Sequence, residues 1–141
     1  MYPNDIEQVI EKFQDAVGVP EYNGVIEKLI RKAYDHKIDI ILSNYPSSAR
    51  QDRVHGIDYT IKILRLPDSG DTKEILFDMM HEMGHCFDPA KLLPDRSNEK
   101  ERETRAWEFA DEQFYSFPEL AAIEQQYTIF RNSRLQVYLD N

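Results

Sequence analysis

With one cysteine, Cys86, in 141 residues, the chain can form no internal disulfide. A crosslinked secreted scaffold is excluded, and this cysteine usage agrees with a reducing, cytoplasmic compartment. No apolar run approaches the ~20 residues that a bilayer-spanning helix needs. Positive charge is also scarce: 17 Lys and Arg against 26 Asp and Glu leave a net charge of -9. That balance sets aside nucleic acid and anionic membrane as the main partners. The segment Met1 to Asp15 is acidic and amphipathic, so it does not read as a secretory signal. Internal repeats, low-complexity tracts and a long linker are missing, and the expectation is a single domain over residues 1–141. What is present is a globular composition, 41% hydrophobic and 30% charged. A chain of this length can bury roughly two-thirds of its unfolded surface.

The apolar residues change period along the chain. Ile6, Val9, Ile10 and Phe13 recur at helical spacing, and Gly18, Pro20 and Asn23-Gly24 break that helix. Val25, Ile26, Leu29, Ile30 and Ala33 predict a second helix to about His36. Ile38 to Leu42 is short, β-branched and apolar, a buried strand ended by Asn44 to Pro46. Ser47 to Gly56 is polar and reads as a loop. Ile57, Tyr59, Ile61 and Ile63 then alternate with Asp58, Thr60 and Lys62, as in a strand with one face on a core. Pro67 to Gly70 closes it. Asp71 and Glu74 have the spacing of a capping box opening a helix, whose stripe is Ile75, Leu76, Met79, Met80 and Met83. It should run to about Phe87. Asp88 to Ser97, with Pro89 and Pro94, is a loop. A long polar helix starts near Asn98, and Pro118 opens a last one to about Leu135. Helices, a small sheet and further helices make an α+β fold.

The chemistry lies in His81-Glu82-Met83-Gly84-His85. Two histidines four apart on a helix place their imidazoles one turn apart on one face, where both reach one zinc at about 2.0–2.1 Å. Glu82, offset by one residue, can meet a zinc-held water without ligating the metal. Zinc lowers the pKa of such a water toward about 7, and the carboxylate takes its proton as it attacks a carbonyl. The bland alternative is a chance match on two surface or core histidines. Against it, the motif falls on a strongly periodic helix after a strand, with Gly84 where a neighbouring chain can approach.

A catalytic zinc needs a third protein ligand and one open position. The extended metzincin motif requires glycine at 88 and a ligand at 91, where Asp88 and Lys91 stand. The other arrangement, the gluzincin one, takes a glutamate from the following helix: Glu99, Glu101, Glu103, Glu108 or Glu112. Glu101 stands three residues after Asn98, the place of a capping-box carboxylate, and Arg105, Glu108 and Glu112 continue its polar face. Glu103 heads the stripe Ala106, Trp107, Ala110 and Phe114, where a lone carboxylate is costly to bury unless a cation compensates it. Glu103 is therefore the favoured third ligand; the alternative leaves it exposed at the end of the stripe. Ala106, one turn on, is small enough for two helices to pack closely.

Three segments together resemble the ImmA/IrrE-like metallopeptidases: the strand Tyr59 to Leu66, the helix Phe77 to His85 with its His-Glu-x-Gly-His motif, and Glu103-Thr-Arg-Ala106-Trp-Glu-Phe-Ala110. The resemblance covers about residues 57 to 115. It implies a zincin fold, with a small sheet packed on the motif helix and the helices that follow. One zinc per chain would be held at His81, His85 and Glu103, with Glu82 as general base. It also implies a cytosolic bacterial or phage setting, in which family members often cleave a repressor. After Ala110 the chain departs from the family, with Asp-Glu-Gln-Phe-Tyr-Ser in place of two leucines, methionine and proline.

Other residues carry weaker expectations. Cys86 points about 100° around the helix from His85 and reads as a small buried apolar residue. Asp78 and Asp88 share the histidine stripe and can orient a ligand imidazole, or can be ordinary helix-surface and helix-end carboxylates. His55 reads as a solvated loop histidine. Tyr59, Tyr115 and Tyr127 are candidate oxyanion donors, or core and rim residues. The strand Asp58 to Leu66 can offer a free edge to an extended peptide, or be covered. The leading expectation is a zinc endopeptidase acting on a protein or peptide. The competing readings are a non-catalytic zinc-containing partner-binding module and a zinc hydrolase of a small non-peptide amide.

Overall fold

The computed structural model describes residues 4–52, 54 and 56–139. Asp5 opens the first helix, α1 (Ile6–Val17), its carboxylate accepting from the backbone N–H of Glu7 and Gln8. Gly18 ends α1 in the left-handed region, φ 69°, which glycine enters without a Cβ penalty. Pro20–Tyr22 forms a 3-10 turn, and α2 (Asn23–Asp35) follows at once. Asn23-Gly24, expected as a break, is instead the first turn of α2: the chain has already reversed at Gly18 and Pro20. The buried stripes of α1 (Val9, Ile10, Phe13, Val17) and α2 (Val25, Ile26, Leu29, Ile30, Ala33) pack on each other and on the sheet.

The sheet has three strands, β1 (Ile38–Ser43), β2 (Ser48–Gln51) and β3 (Tyr59–Leu64), in the order β1-β3-β2. β3 pairs parallel with β1, Ile40 opposite Ile61, and antiparallel with β2, Ala49 opposite Ile61. Two expectations are corrected. Ser48–Gln51 is a strand rather than loop, and β3 is the central strand, so it has no free edge; β2 and β1 are the edges. Ile61 and Ile63 point into the core while Lys62 is exposed, which is the alternation expected of β3. Asp39, in the buried part of β1, accepts from the Tyr34 hydroxyl at 2.5 Å and from Asn4 Nδ2 at 2.7 Å. That satisfies a carboxylate which would otherwise be costly to bury.

α3 (Glu74–Phe87) packs against β2, β3 and the long α4 (Glu99–Ser116). Asp71 does cap its approach, but its carboxylate takes the N–H of Lys73 rather than that of Glu74. Asn98 makes no capping bond to α4. Its side chain braces the preceding loop instead, accepting from Leu93 N–H and donating to the Lys91 carbonyl. Pro118–Ile123 is a 3-10 segment, not the start of the last helix; α5 runs Glu124–Leu139 and packs on α4 and α3. The architecture is thus α+β: five α-helices and a small three-stranded sheet among the described residues. No helix among them is long and apolar enough to cross a membrane.

Candidate metal centre

The site stands where α3 and α4 touch. Gly84 makes that contact possible: a Cβ built on it would meet the Ala106 carbonyl oxygen at 2.5 Å and its Cα at 2.8 Å. Glycine on one helix and alanine on the other bring the backbones together, and Glu103, one turn before Ala106, then faces the histidines of α3. His81 Nε2 lies 3.0 Å from Glu103 Oε1, and His85 Nε2 lies 2.6 Å from Glu103 Oε2. The two rings meet edge to face with centroids 4.8 Å apart. His81 is fixed from behind by Trp107, stacked at 4.3 Å with planes 10° apart.

These residues fit a metal ion by chemistry and by spacing. One ligand atom from each of His81, His85 and Glu103 lies within 4.8 Å of the others. Two imidazoles and a carboxylate suit zinc. Glu103 is only 8% exposed, and its carboxylate meets the two imidazoles, so a cation among them would compensate its burial. Burial pushes the Glu103 carboxyl up, but hydrogen bonds to His81 and His85 outweigh this and hold it below its ordinary range. Burial likewise pulls the His81 imidazole down, and the carboxylates of Glu103 and Glu82 outweigh it and hold the ring above its ordinary value. Glu82 is 7% exposed, with Oε2 3.3 Å from His81 Nδ1.

The other expected carboxylates separate as the helical faces require. Glu101, Glu108 and Glu112 are exposed, and Glu99 pairs with Arg96. Neither Asp78 nor Asp88 orients an imidazole. Asp78 accepts from the Ser47 hydroxyl at 2.8 Å. Asp88 accepts from Arg105 Nε at 3.2 Å and from Ala90 N–H at 3.0 Å, and pairs ionically with Arg105 Nη2 at 3.1 Å. His85 Nδ1 is buried with no hydrogen-bond partner among the described residues, as is the indole nitrogen of Trp107. Cys86 is half-buried against the core, and burial pushes its thiol up. An apolar-facing, protonated sulfur agrees with its reading as a packing residue.

An open cleft of about 250 Å³ reaches the centre, lined by Pro46, Ser47, His81, Glu82, Glu103, Arg134, Val137 and Tyr138. None of the tyrosines expected as oxyanion donors lines it. Tyr127 donates to Asp111 at 2.6 Å, between α5 and α4. Tyr115 points to Glu124 in solvent, and Tyr59 opens β3. The loop histidine His55 lies outside the described residues. Arg134 and Tyr138 were not singled out by sequence. Their spacing of four on a mostly polar last helix was the available signal, and it acquires meaning only once α5 docks beside α3.

Comparison of the chain with protein-family models, curated proteins and solved structures finds no match.

Proposed function

We propose that the protein is a zinc-dependent peptidase of gluzincin type, related to the ImmA/IrrE-like metallopeptidases, with a regulatory protein such as a repressor among its candidate substrates. The observation that carries this reading is the convergence of His81, His85 and Glu103 beside a cleft that His81, Glu103 and Glu82 line. Zinc bound there supplies Lewis-acid polarisation of a carbonyl and an acidified water. Glu82 would accept the proton of the attacking water as that water's oxygen bonds to the carbonyl carbon, and would hand it to the leaving amine as the C–N bond breaks. His81 is held for this by its Trp107 stack, and Gly84 and Ala106 keep Glu103 within reach.

The cleft also bears on the kind of substrate. It is open rather than a closed pocket, and Ser47 on its wall directly precedes the edge strand β2. An extended peptide can pair with such an edge, which favours a peptide over a small amide. The intact Glu82 and a cleft left open beside three ligands favour catalysis over a closed structural site, which takes four protein ligands. The test is zinc stoichiometry and hydrolysis in wild type and Glu82→Gln. One zinc per chain in both proteins is expected, with hydrolysis lowered by roughly 10²–10⁴-fold in the variant. Full hydrolysis by Glu82→Gln would remove Glu82 as the base.

A further inference from the structure

The wall of the cleft facing the metal centre comes from α5, which presents Arg134, Val137 and Tyr138. Arg134 and Tyr138 are four residues apart, so they leave the helix on one face, a turn from each other. Arg134 is held from two sides. Its Cζ lies 4.4 Å from the centre of the Phe130 ring, and its Nη1 lies 3.9 Å from Asp78 Oδ1. A guanidinium on an aromatic face is restrained without using its N–H groups, and an ion pair of that length is too long for a hydrogen bond. Among the described residues neither Arg134 nor the Tyr138 hydroxyl makes a hydrogen bond. The cleft thus contains a restrained, permanently charged planar fork and, one turn away, a phenol, the donors of both unengaged.

Their surroundings specify what they can receive. The other titratable residues lining the cleft are His81 and Glu103, which belong to the ligand set, and Glu82. Arg134 is the one Lys or Arg among the lining residues, in a protein whose net charge is -9. An arginine fork matches two oxygens of an anion, and a tyrosine hydroxyl adds a third donor. Restraint of the guanidinium before binding lowers the ordering cost of that match. We infer that Arg134 and Tyr138 form an anion-binding wall that receives an anionic oxygen of the substrate beside the scissile bond, an inference that rests on the peptidase reading above. That oxygen has two possible sources: a carboxylate carried by the substrate, or the attacked carbonyl oxygen as it gains charge.

The experiment uses zinc-loaded full-length protein and two matched pools of short peptides that differ only by Glu or Gln at one position. Binding is read by fluorescence polarisation on Glu82→Gln protein, and cleavage on protein with Glu82 intact. If a substrate carboxylate is the occupant, the Glu pool binds at least about tenfold tighter. Arg134→Gln abolishes that preference and Arg134→Lys restores part of it. If the carbonyl oxygen is the occupant, both pools bind alike, and Arg134→Gln or Tyr138→Phe lowers kcat by roughly 10²-fold with KM unchanged. The inference is overturned if neither variant alters pool preference, kcat or KM while circular dichroism shows both folded. The two claims fail separately. A preference that follows Arg134 without any cleavage keeps the wall and sinks the peptidase, whereas cleavage indifferent to both variants does the reverse.

Discussion

Gly84 and Ala106 sit so close across the α3–α4 contact that the glycine hydrogen occupies the only space available, with Ala106 backbone atoms 2.5 and 2.8 Å from where a Cβ would be. Alanine is normally better than glycine inside a helix by about 1 kcal/mol. Here the neighbour is backbone and cannot swing aside, so the sign reverses. Gly84→Ala should destabilise by roughly 1–3 kcal/mol, the range for overpacking. It should also weaken zinc binding, because the helices that carry the ligands are forced apart. Thermal melts with chelator and with zinc separate the two effects.

Glu103→Ala should remove most of the zinc affinity, a larger loss than the roughly 10–100-fold typical of an outer hydrogen-bond partner. Glu101→Ala should leave the affinity intact, since Glu101 is exposed and Asn98 makes no capping bond at that helix end. Chelator competition measures both. In wild type, free zinc at about 100 times its Kd should add about 2.7 kcal/mol of stability, and Glu103→Ala should lose that gain. Equal affinity in the two variants would take Glu103 out of the site.

Asp88 and Arg105 tie the end of α3 to the start of α4, three residues past His85 and two past Glu103. The Asp88 side chain is 1% exposed and that of Arg105 is 43% exposed, so the two ends of this contact are unequal. Asp88→Ala should cost about 1–3 kcal/mol, because Ala90 N–H and the Arg105 guanidinium lose their acceptor. Arg105→Gln should cost less, about 1 kcal/mol, because the half-exposed guanidinium gives up little burial while Ala90 N–H still serves the buried carboxylate. Urea denaturation of the two variants under chelator tests the ranking, and a larger loss in Arg105→Gln would invert it.

Asp78 supplies a pH dependence. Burial pushes its carboxyl up to about 6, against the opposing Ser47 hydrogen bond and Arg134, with Glu82 raising it and His81 lowering it further. The ordinary value is about 3.9. A folded-state value above the unfolded one means the stabilisation is complete below about pH 4 and is lost as pH rises through about 6. The loss is at most about 3 kcal/mol. Asp78→Asn keeps an acceptor for Ser47 and cannot ionise, so it should be more stable than wild type at pH 8. At pH 4 the two should melt together. Melts under chelator exclude the pH dependence of metal binding, and a variant less stable at pH 8 would contradict the account.

Much of this was legible in the sequence where one physical demand dominated. The α3 stripe and its two histidines state a helix face outright. The inward place of Glu103 beside the histidines was legible because a carboxylate heading an apolar stripe needs a partner when buried. β2 was not: Ser48-Ala-Arg-Gln is short, polar and without alternation, and it is a strand only because β3 offers it an edge. Asn23-Gly24 misled because turn-forming residues can equally occupy a first helical turn. Tyr115 and Tyr127 were read by residue type, whereas α5 docking decides which side chains reach the cleft. That docking favours Tyr138 and Arg134, and no local pattern encodes it.

Trp107, the chain's single tryptophan, lies face to face with His81, and among the described residues its indole nitrogen has no hydrogen-bond partner. Its emission therefore comes from one known position against one candidate ligand. A stacked imidazole quenches excited indole to a degree set by its own charge, so a change of charge on the His81 ring would alter the emission. A cation taken up by this centre would thus report itself in the protein's own emission, readable during titration without any added dye.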